Sequence, residues 1–509
     1  MKAPPPPLPA PAGTATVPAM IEPDTAHDFK HDSAPDGATV AASDAVQALA
    51  MVGDLTMGQP PGHSMRTARL AARVAQADGL APGGVADAHL VALLRWSGAT
   101  ASAAGFAALT GDDVGGRNAM LTRTLPAGHA LTPAGVLPLV QVHCEIAGDI
   151  ARTLGLPAAV EQGLRRVFER VDGSGMPARL HGDDIPAVVF YAALAGDLEI
   201  LSRAHGLDTA LRLVGQLAGR KYPAALVERI VPHARGWLAD ADNDADNDEA
   251  AGPPPIAGAD VSLALVADTL ELKLPWLAGY SRRVAGLAQS AAALAGMPAA
   301  QQQCLARAAL LHGIGRAAIP NPVWQRRGPL RSAEWEQVRR VPYWTARLAT
   351  HVPALGAEAQ LASHAYERLD GSGYFRRLPH DALGPAQRLL AAAAAWTALC
   401  APRPWRAAYD PAAATALLAA QGTRFDRHAV DAVIAAAAQP ALPRRGGVLS
   451  DREVQVLRTI GGCASGREAA RVLRISTGAV RTHVDSILEK LACSTRAAAT
   501  LKALTLGLI

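Results

Sequence analysis

Arg467, Arg481 and Lys490, near the end of this 509-residue chain, bring cations together with the hydroxyls of Ser476, Thr477 and Thr482. A guanidinium meets guanine or a phosphate through two parallel hydrogen bonds, so this set suits nucleic-acid recognition. Spacing sorts the residues into faces. Val480, Val484, Ile487, Leu488 and Leu491 follow an i, i+4, i+7, i+8, i+11 pattern, which must face a core. That leaves Thr477, Gly478, Arg481, Thr482 and Asp485 pointing outward. Ser476 stands where it caps the helix, whose free N–H groups favour a nearby anion. Arg481 is the first choice for a base or backbone contact, and Arg467 and Lys490 for phosphates. His483 reads equally as a phosphate contact or as half-buried packing.

The elements that position these residues are short helices. Leu449-Ser-Asp-Arg-Glu453 opens one, with Ser450 as N-cap and Glu453 three residues on completing a capping box. A second runs from Gly466 to Leu473, and Arg474-Ile475-Ser476 turns the chain into a third from Thr477 to Leu491. This is a helix-turn-helix, which lays one helix in the major groove. A last helix, Arg496 to Leu508, either pairs two copies or closes its own domain's core; both readings stand. From Gly447 onward nine Lys/Arg face five Asp/Glu, which accounts for the whole net charge of +4.

A second chemical candidate occurs twice. Phe168 begins FERVDGSGMPARL and Tyr366 begins YERLDGSGYFRRL, 198 residues later. The glycines suit tight turns, and Asp172 and Asp370 suit a bond back to their own backbone, with an Arg-Asp pair holding the loop. Structure is therefore the first reading of the loop. A ligand reading rests on Arg368, Asp370, Arg376 and Arg377, which would offer charge to a nucleotide effector's phosphate. Upstream, GHSMRTARLAARVA at Gly62 matches GYSRRVAGLAQSAA at Gly279, and ALLRWSG at Ala92 matches ALLHGIG at Ala309, both 217 apart. The first copy therefore carries 19 extra residues between Arg95 and His143. Ordered self-similarity of this kind means two homologous domains.

Length, composition and breaks set the frame. Aromatics make up only 4% of a chain that is 50% hydrophobic, much of it Ala, so an all-α fold is expected. The expected order is a disordered Pro-rich arm at 1–44, a helical repeat at 45–237 and an acidic, Pro-rich linker at 238–257. A second repeat at 258–438, a linker at 439–447 and the DNA-binding domain at 448–509 follow. Cys144, Cys304, Cys400, Cys463 and Cys493 are scattered without C-x-x-C spacing, which suits reduced thiols in the cytoplasm. No apolar run reaches the roughly 20 residues of a membrane span, so no membrane partner is expected.

The tail resembles the LuxR-type helix-turn-helix over Leu449 to about Ala499. The resemblance rests on Leu449-Ser450-x-Arg452-Glu453-x-x-Val456-Leu457, Ser465-Gly466-Arg467-Glu468-Ala469-Ala470 and Ala479-Val480-Arg481-Thr482-His483-Val484. Gly466 and Ala479 depart from it. It implies a four-helix domain binding double-stranded DNA as a homodimer. The second repeat resembles the HD-GYP phosphohydrolases, through ALLHGIGRAAIPNPVWQRRGPL and ERLDGSGY. That family holds two or three metal ions and cleaves cyclic dinucleotides. On its pattern the ligand positions here fall on Tyr280, His312-Gly313, Val341, Ala365-Tyr366 and Ala394, with His364 one place out of register. In the first repeat they fall on His63, Arg95-Trp96, His143, Val167-Phe168 and near Gly196. His63, His143, His312 and His364 are thus vestigial metal candidates. The expectation is two degenerate HD-type domains that sense or oligomerise, with no metal, no cofactor and no catalysis, ahead of a DNA-binding output; the alternatives are an active metal-dependent cyclic-dinucleotide phosphodiesterase and a non-catalytic nucleotide receptor.

Overall fold

The computed structural model describes residues 38–126, 131–243, 256, 260–378, 380–439, 447–462 and 466–509. The bulk of the Pro-rich arm, most of the acidic linker, residues 440–446 and Cys463 lie outside these. The described chain is all-α apart from one two-residue pairing, in which β1 (Thr39–Val40) runs antiparallel to β2 (Val261–Ser262). The first repeat starts earlier than residue 45. Val40 is buried, the Leu263 N–H donates to the Ala38 carbonyl at 2.9 Å, and a buried helix follows at Ala42–Thr56. The helix Ala224–Asn243 likewise runs on through the first residues assigned to the acidic linker.

The two repeats are built alike, and shared residue chemistry shows why. Gly62 and Gly279 adopt φ of 84° and 70° and turn the chain into the helices His63–Ala77 and Tyr280–Leu294. Just before each turn a buried carboxylate caps the new helix. Asp54 accepts from the Ser64 N–H and hydroxyl, at 3.0 and 2.6 Å, and Glu271 accepts from the Tyr280 and Ser281 N–H groups, at 3.1 and 2.7 Å. Pro82–Leu94 and Ala299–Leu311 pack beside those helices, and Ala187–His205 and Pro385–Cys400 close the bundles. Backbones cross closely at one equivalent point. A Cβ on Gly98 would lie 2.1 Å from the His143 carbonyl oxygen, and one on Gly315 would lie 2.0 Å from that of Val341.

Both repeats share one continuous apolar core. The tail has its own, formed by Val456, Leu457, Ala469, Val480, Val484, Ile487 and Leu491 among others. Its helices are Asp451–Gly462, Gly466–Leu473, Thr477–Lys490 and Arg496–Thr505. The last of these serves two cores: Ala499, Ala503 and Leu504 close the tail, while Ala498 and Leu501 pack into the body. The Ser494 N–H also donates at 2.6 Å to Glu145 Oε1, on the helix Pro133–Thr153. Among the described residues no helix is long and apolar enough to cross a membrane.

Candidate functional site

Helix Thr477–Lys490 presents the predicted reading face. Val480, Val484 and Ile487 are buried, and Ser476, Thr477, Gly478, Arg481, Thr482 and Asp485 are exposed. Ser476 Oγ accepts the Ala479 N–H at 3.1 Å, and its backbone is extended, as an N-cap requires. Arg467 is exposed on the preceding helix, and His483 is half-buried. Lys490 is placed differently from its expected phosphate role. Its ammonium donates to both oxygens of Glu453 at 2.8 Å, and the Ser486 hydroxyl donates to Oε1 at 2.8 Å. Glu453 meanwhile completes the capping box, accepting from the Ser450 N–H at 2.8 Å. Four donors hold its carboxyl down at about 2, against the upward push of burial. Lys490 thus fastens the reading helix to the opening helix.

In the body, the positions singled out by sequence do converge, once per repeat. In the first, Arg95 Nη2 lies 2.5 Å from His63 Nε2, and His63 Nδ1 lies 2.6 Å from Glu199 Oε2. Burial lowers the His63 pKa to about 4, so the ring is neutral. Its Nε2 therefore accepts from the guanidinium, while Nδ1 stands within ion-pair distance of Glu199 without the alignment of a hydrogen bond. Arg95 Nη1 donates to the Ala192 carbonyl at 3.2 Å, and a Cβ on Gly196 would lie only 1.9 Å from that nitrogen. His143 Nε2 donates to the Arg95 carbonyl at 2.7 Å, and its ring meets Phe168 edge-on at 4.9 Å. Beside this cluster opens a cavity of about 550 Å³.

In the second repeat the guanidinium comes from Arg316. Its Nη2 donates to the Tyr366 hydroxyl at 2.6 Å and lies 3.5 Å from His312 Nε2, while His312 Nδ1 donates to the Ala309 carbonyl. Burial, with Arg316 adding to it, lowers the His312 pKa to about 3. A Cβ on Gly313 would sit 2.6 Å from Arg316 Nη1. Tyr280 donates to the Ala394 carbonyl at 3.0 Å, so two further ligand positions touch. His364 lies apart from His312's partners: its Nδ1 donates to the Gln360 carbonyl at 2.7 Å, and Arg376 donates to its Nε2 at 3.0 Å. Sequence reasoning did not single out Glu199, Arg316 or Tyr366 as partners. Arg95 appeared there only as a lost histidine.

The repeated loop is held in the same way in both copies. Glu169 accepts from the Ala178 and Leu180 N–H groups, and Glu367 from those of Arg376 and Leu378. Asp172 and Asp370 each accept the N–H two residues on, at 2.9 Å. Asp370 also pairs with Arg424 at 3.3 Å, and Arg368 lies over the Phe425 ring. Arg377 has φ of 49°. A two-metal centre does not fit either cluster. At the lone pairs of His63 and His312 a guanidinium already stands, that of Arg95 at 2.5 Å and that of Arg316 at 3.5 Å, and a cation repels a metal ion. Among the described residues no three His, Cys, Asp or Glu side chains gather as a metal site.

Comparison with known proteins gives two matches to families. The HD domain family matches residues 264–429, and the family of bacterial regulatory proteins of the luxR type matches 447–503. The chain therefore joins HD-type helical architecture to a LuxR-type helix-turn-helix domain. Over 392 residues it is 26% identical to the 3'3'-cGAMP-specific phosphodiesterase 3 of Vibrio cholerae, covering 70% of this chain and 85% of that protein. Over 181 residues it is 30% identical to the cyclic di-GMP phosphodiesterase response regulator RpfG of Xanthomonas campestris, covering 35% and 48%. A crystal structure of a V. cholerae cyclic GMP-AMP specific phosphodiesterase superposes with a TM-score of 0.57 at 22% identity, over 79% of this chain and 99% of that one, and so shares the fold. These findings correct the expectation that the chain is no enzyme. One relative matched over 85% of its length is named as a phosphodiesterase, so altered ligand positions do not by themselves remove the chain from an enzyme class.

Proposed function

We propose that this chain is a cytoplasmic bacterial transcription regulator that reads double-stranded DNA as a homodimer and whose HD-type body takes a cyclic dinucleotide. One observation carries the DNA-binding part. Thr477, Gly478, Arg481 and Thr482 are exposed together on a capped helix whose other face is buried. A reading helix needs that division. Arg467 stands on the neighbouring helix for a phosphate. The nature of the effector is supported by the cyclic dinucleotides after which the relatives are named. To regulate, that ligand must favour one arrangement of the tail over another.

Selection from random duplex DNA with the full chain tests this. A recovered sequence motif, bound at two half-sites and lost in Arg481→Ala, is the expected result. Failure to enrich any motif would sink the reading. Hydrolysis of the dinucleotide is the second reading, favoured by 26% identity over most of a phosphodiesterase. Chromatography of 3'3'-cGAMP and cyclic di-GMP after incubation with the protein decides it: linear dinucleotide above the buffer control supports turnover, and intact substrate rejects it.

A further inference from the structure

We propose that the cavity of the first repeat is a metal-independent receptor site for a nucleotide, in which Arg95 supplies the fixed positive charge that a metal ion supplies in a hydrolase. The inference rests on the reading that the body takes a cyclic dinucleotide only for its choice of probe. The site itself stands on three features of this chain.

The first is how Arg95 is held. Metal-ligating histidines characteristically donate their second ring nitrogen to a carboxylate, which fixes the tautomer and turns the other lone pair on the cation. Glu199, His63 and Arg95 stand in the same succession of groups, with a guanidinium as the cation and spacings of 2.6 and 2.5 Å. Arg66 also donates to Glu199, at 2.9 Å, so the carboxylate's charge is shared and does not cancel that of Arg95 alone. The missing side chain of Gly196 leaves the room Arg95 needs.

The second is the charge of the walls. Arg95, Arg117, Arg123, Arg170 and Lys221 line the cavity against the carboxylates of Glu169 and Asp197. Asp197 is committed to Lys221 at 2.7 Å and to the Tyr222 hydroxyl at 3.0 Å. Glu169 is turned onto the backbone N–H groups of its own loop. Arg117 is buried and bonded to neutral oxygens, those of Ala99 at 2.8 Å and Ser102 at 2.9 Å. Arg123 and Arg170 are exposed at the rim and pair with no carboxylate among the described residues. A cavity with this excess of cations attracts an anion, and phosphate is an anion that guanidinium groups meet through paired hydrogen bonds.

The third is an aromatic wall. Trp96 and Phe168 stand 6.1 Å apart, with the His143 ring edge-on to both. Burial keeps His143 neutral, with its pKa lowered to about 4. Trp96 is buried and its indole N–H has no partner in the protein. Such a surface stacks a base and offers it a donor, which a bare phosphate would not use. At about 550 Å³ the cavity is sized for a nucleotide and not for a simple ion.

Calorimetric titration of the full chain with 3'3'-cGAMP in EDTA tests the proposal, with the double variant Arg123→Glu/Arg170→Glu alongside. Both substitutions lie at exposed positions, so the fold is retained, and circular dichroism checks this. Saturable binding in EDTA, weakened at least tenfold in the double variant, is expected. Binding that requires an added divalent metal, binding that the double variant leaves intact, or no binding at all overturns it. A gel shift with selected DNA on the same preparation separates the two readings. DNA binding without nucleotide heat removes this inference alone, and nucleotide heat without DNA binding removes the regulator reading alone.

Discussion

The ammonium of Lys273 and the carboxylate of Asp113 form an ion pair with no exposure on either side, and it ties the second repeat to the segment in which the first repeat is longer. The Asn321 N–H donates to the other Asp113 oxygen at 2.6 Å, and its side-chain amide donates to the Lys273 carbonyl at 3.0 Å. Three groups from two repeats thus close one buried polar knot. Burial lowers the Lys273 pKa, and Asp113 opposes that. Removing one partner leaves the other charge buried and alone, at a cost of about 3–5 kcal/mol. Lys273→Met should lower stability by that order in urea unfolding. Lys273→Met/Asp113→Asn, which removes both members of the pair, should recover part of the loss, the remainder being the buried Arg117 charge that Asp113 also offsets. Equal losses in the single and double variants would refute the pairing as the link between repeats.

Asp54 and Glu271, at equivalent places in the repeats, set a pH dependence. Burial pushes each up to about 7, partly offset by the hydrogen bonds from Ser64 and from Ser281. Arg95 and Arg66 oppose the shift at Asp54, while Asp268 adds to it at Glu271. A carboxyl whose folded pKa lies above its unfolded value stabilises the fold fully only below the unfolded value, and that contribution is lost as pH rises through the folded one. The buried, neutral His63, His89, His143 and His312 act oppositely, and because an unfolded histidine is still half protonated at about 6.5, their effect runs on to about 7.5. Between pH 6.5 and 8 the two opposing sets should therefore nearly cancel and leave the stability of the body close to flat. All eight tryptophans precede the tail, so their fluorescence reports the body in denaturant. Asp54→Asn/Glu271→Gln should leave the histidine contribution alone, so that stability rises with pH over this range, and an unchanged profile would contradict this assignment.

Local patterns were the legible part of this chain. The apolar stripe of Val480 to Leu491, the Ser476 cap and the Ser450–Glu453 box each depend on neighbours within a few turns, so the sequence displays them directly. The repeats were legible for a related reason: their turn glycines and loop carboxylates recur at fixed offsets. The environment of Arg95 was not. It is set by Gly196 and Glu199, about a hundred residues away, and no local pattern reveals that a long side chain turns inward there. Lys490 shows the same limit. Its exposed helical position suited a phosphate, but Glu453 had acceptor capacity left after capping, and the fold brings the two together.

That contact separates Lys490 from Arg481 in mutagenesis. Arg481 is exposed on the reading face, so Arg481→Ala should weaken specific binding by about 1–3 kcal/mol and relax preference at one base position. Lys490→Ala should instead loosen the tail while leaving base preference intact, because its charge is spent on Glu453. Binding curves over a panel of single-base operator variants distinguish the two. Relaxed preference in Lys490→Ala with none in Arg481→Ala would reverse the assignment.

The terminal helix sets the last expectation. Its recognition partner, Thr477–Lys490, is open on its outer face, yet Arg496–Thr505 is covered: Ala498 and Leu501 are buried in the core shared by the repeats. A helix cannot present that surface to a second copy and to the body at once. If the tail pairs through this helix on DNA, pairing must first break the body contact, which opposes it. Leu501→Glu places a charge where 3% of the residue is exposed, and so favours the undocked tail. Ala499, Ala503 and Leu504 hold the tail's own core and are left in place. The expected outcome is faster proteolysis near residues 439–447 and tighter binding to a duplex with two half-sites. Ser494→Pro, which removes the N–H donated to Glu145, should act in the same direction without adding a charge. Tighter proteolytic protection, or two-site binding weakened in both variants while single-site binding is kept, would show that the docked arrangement is the one that binds DNA.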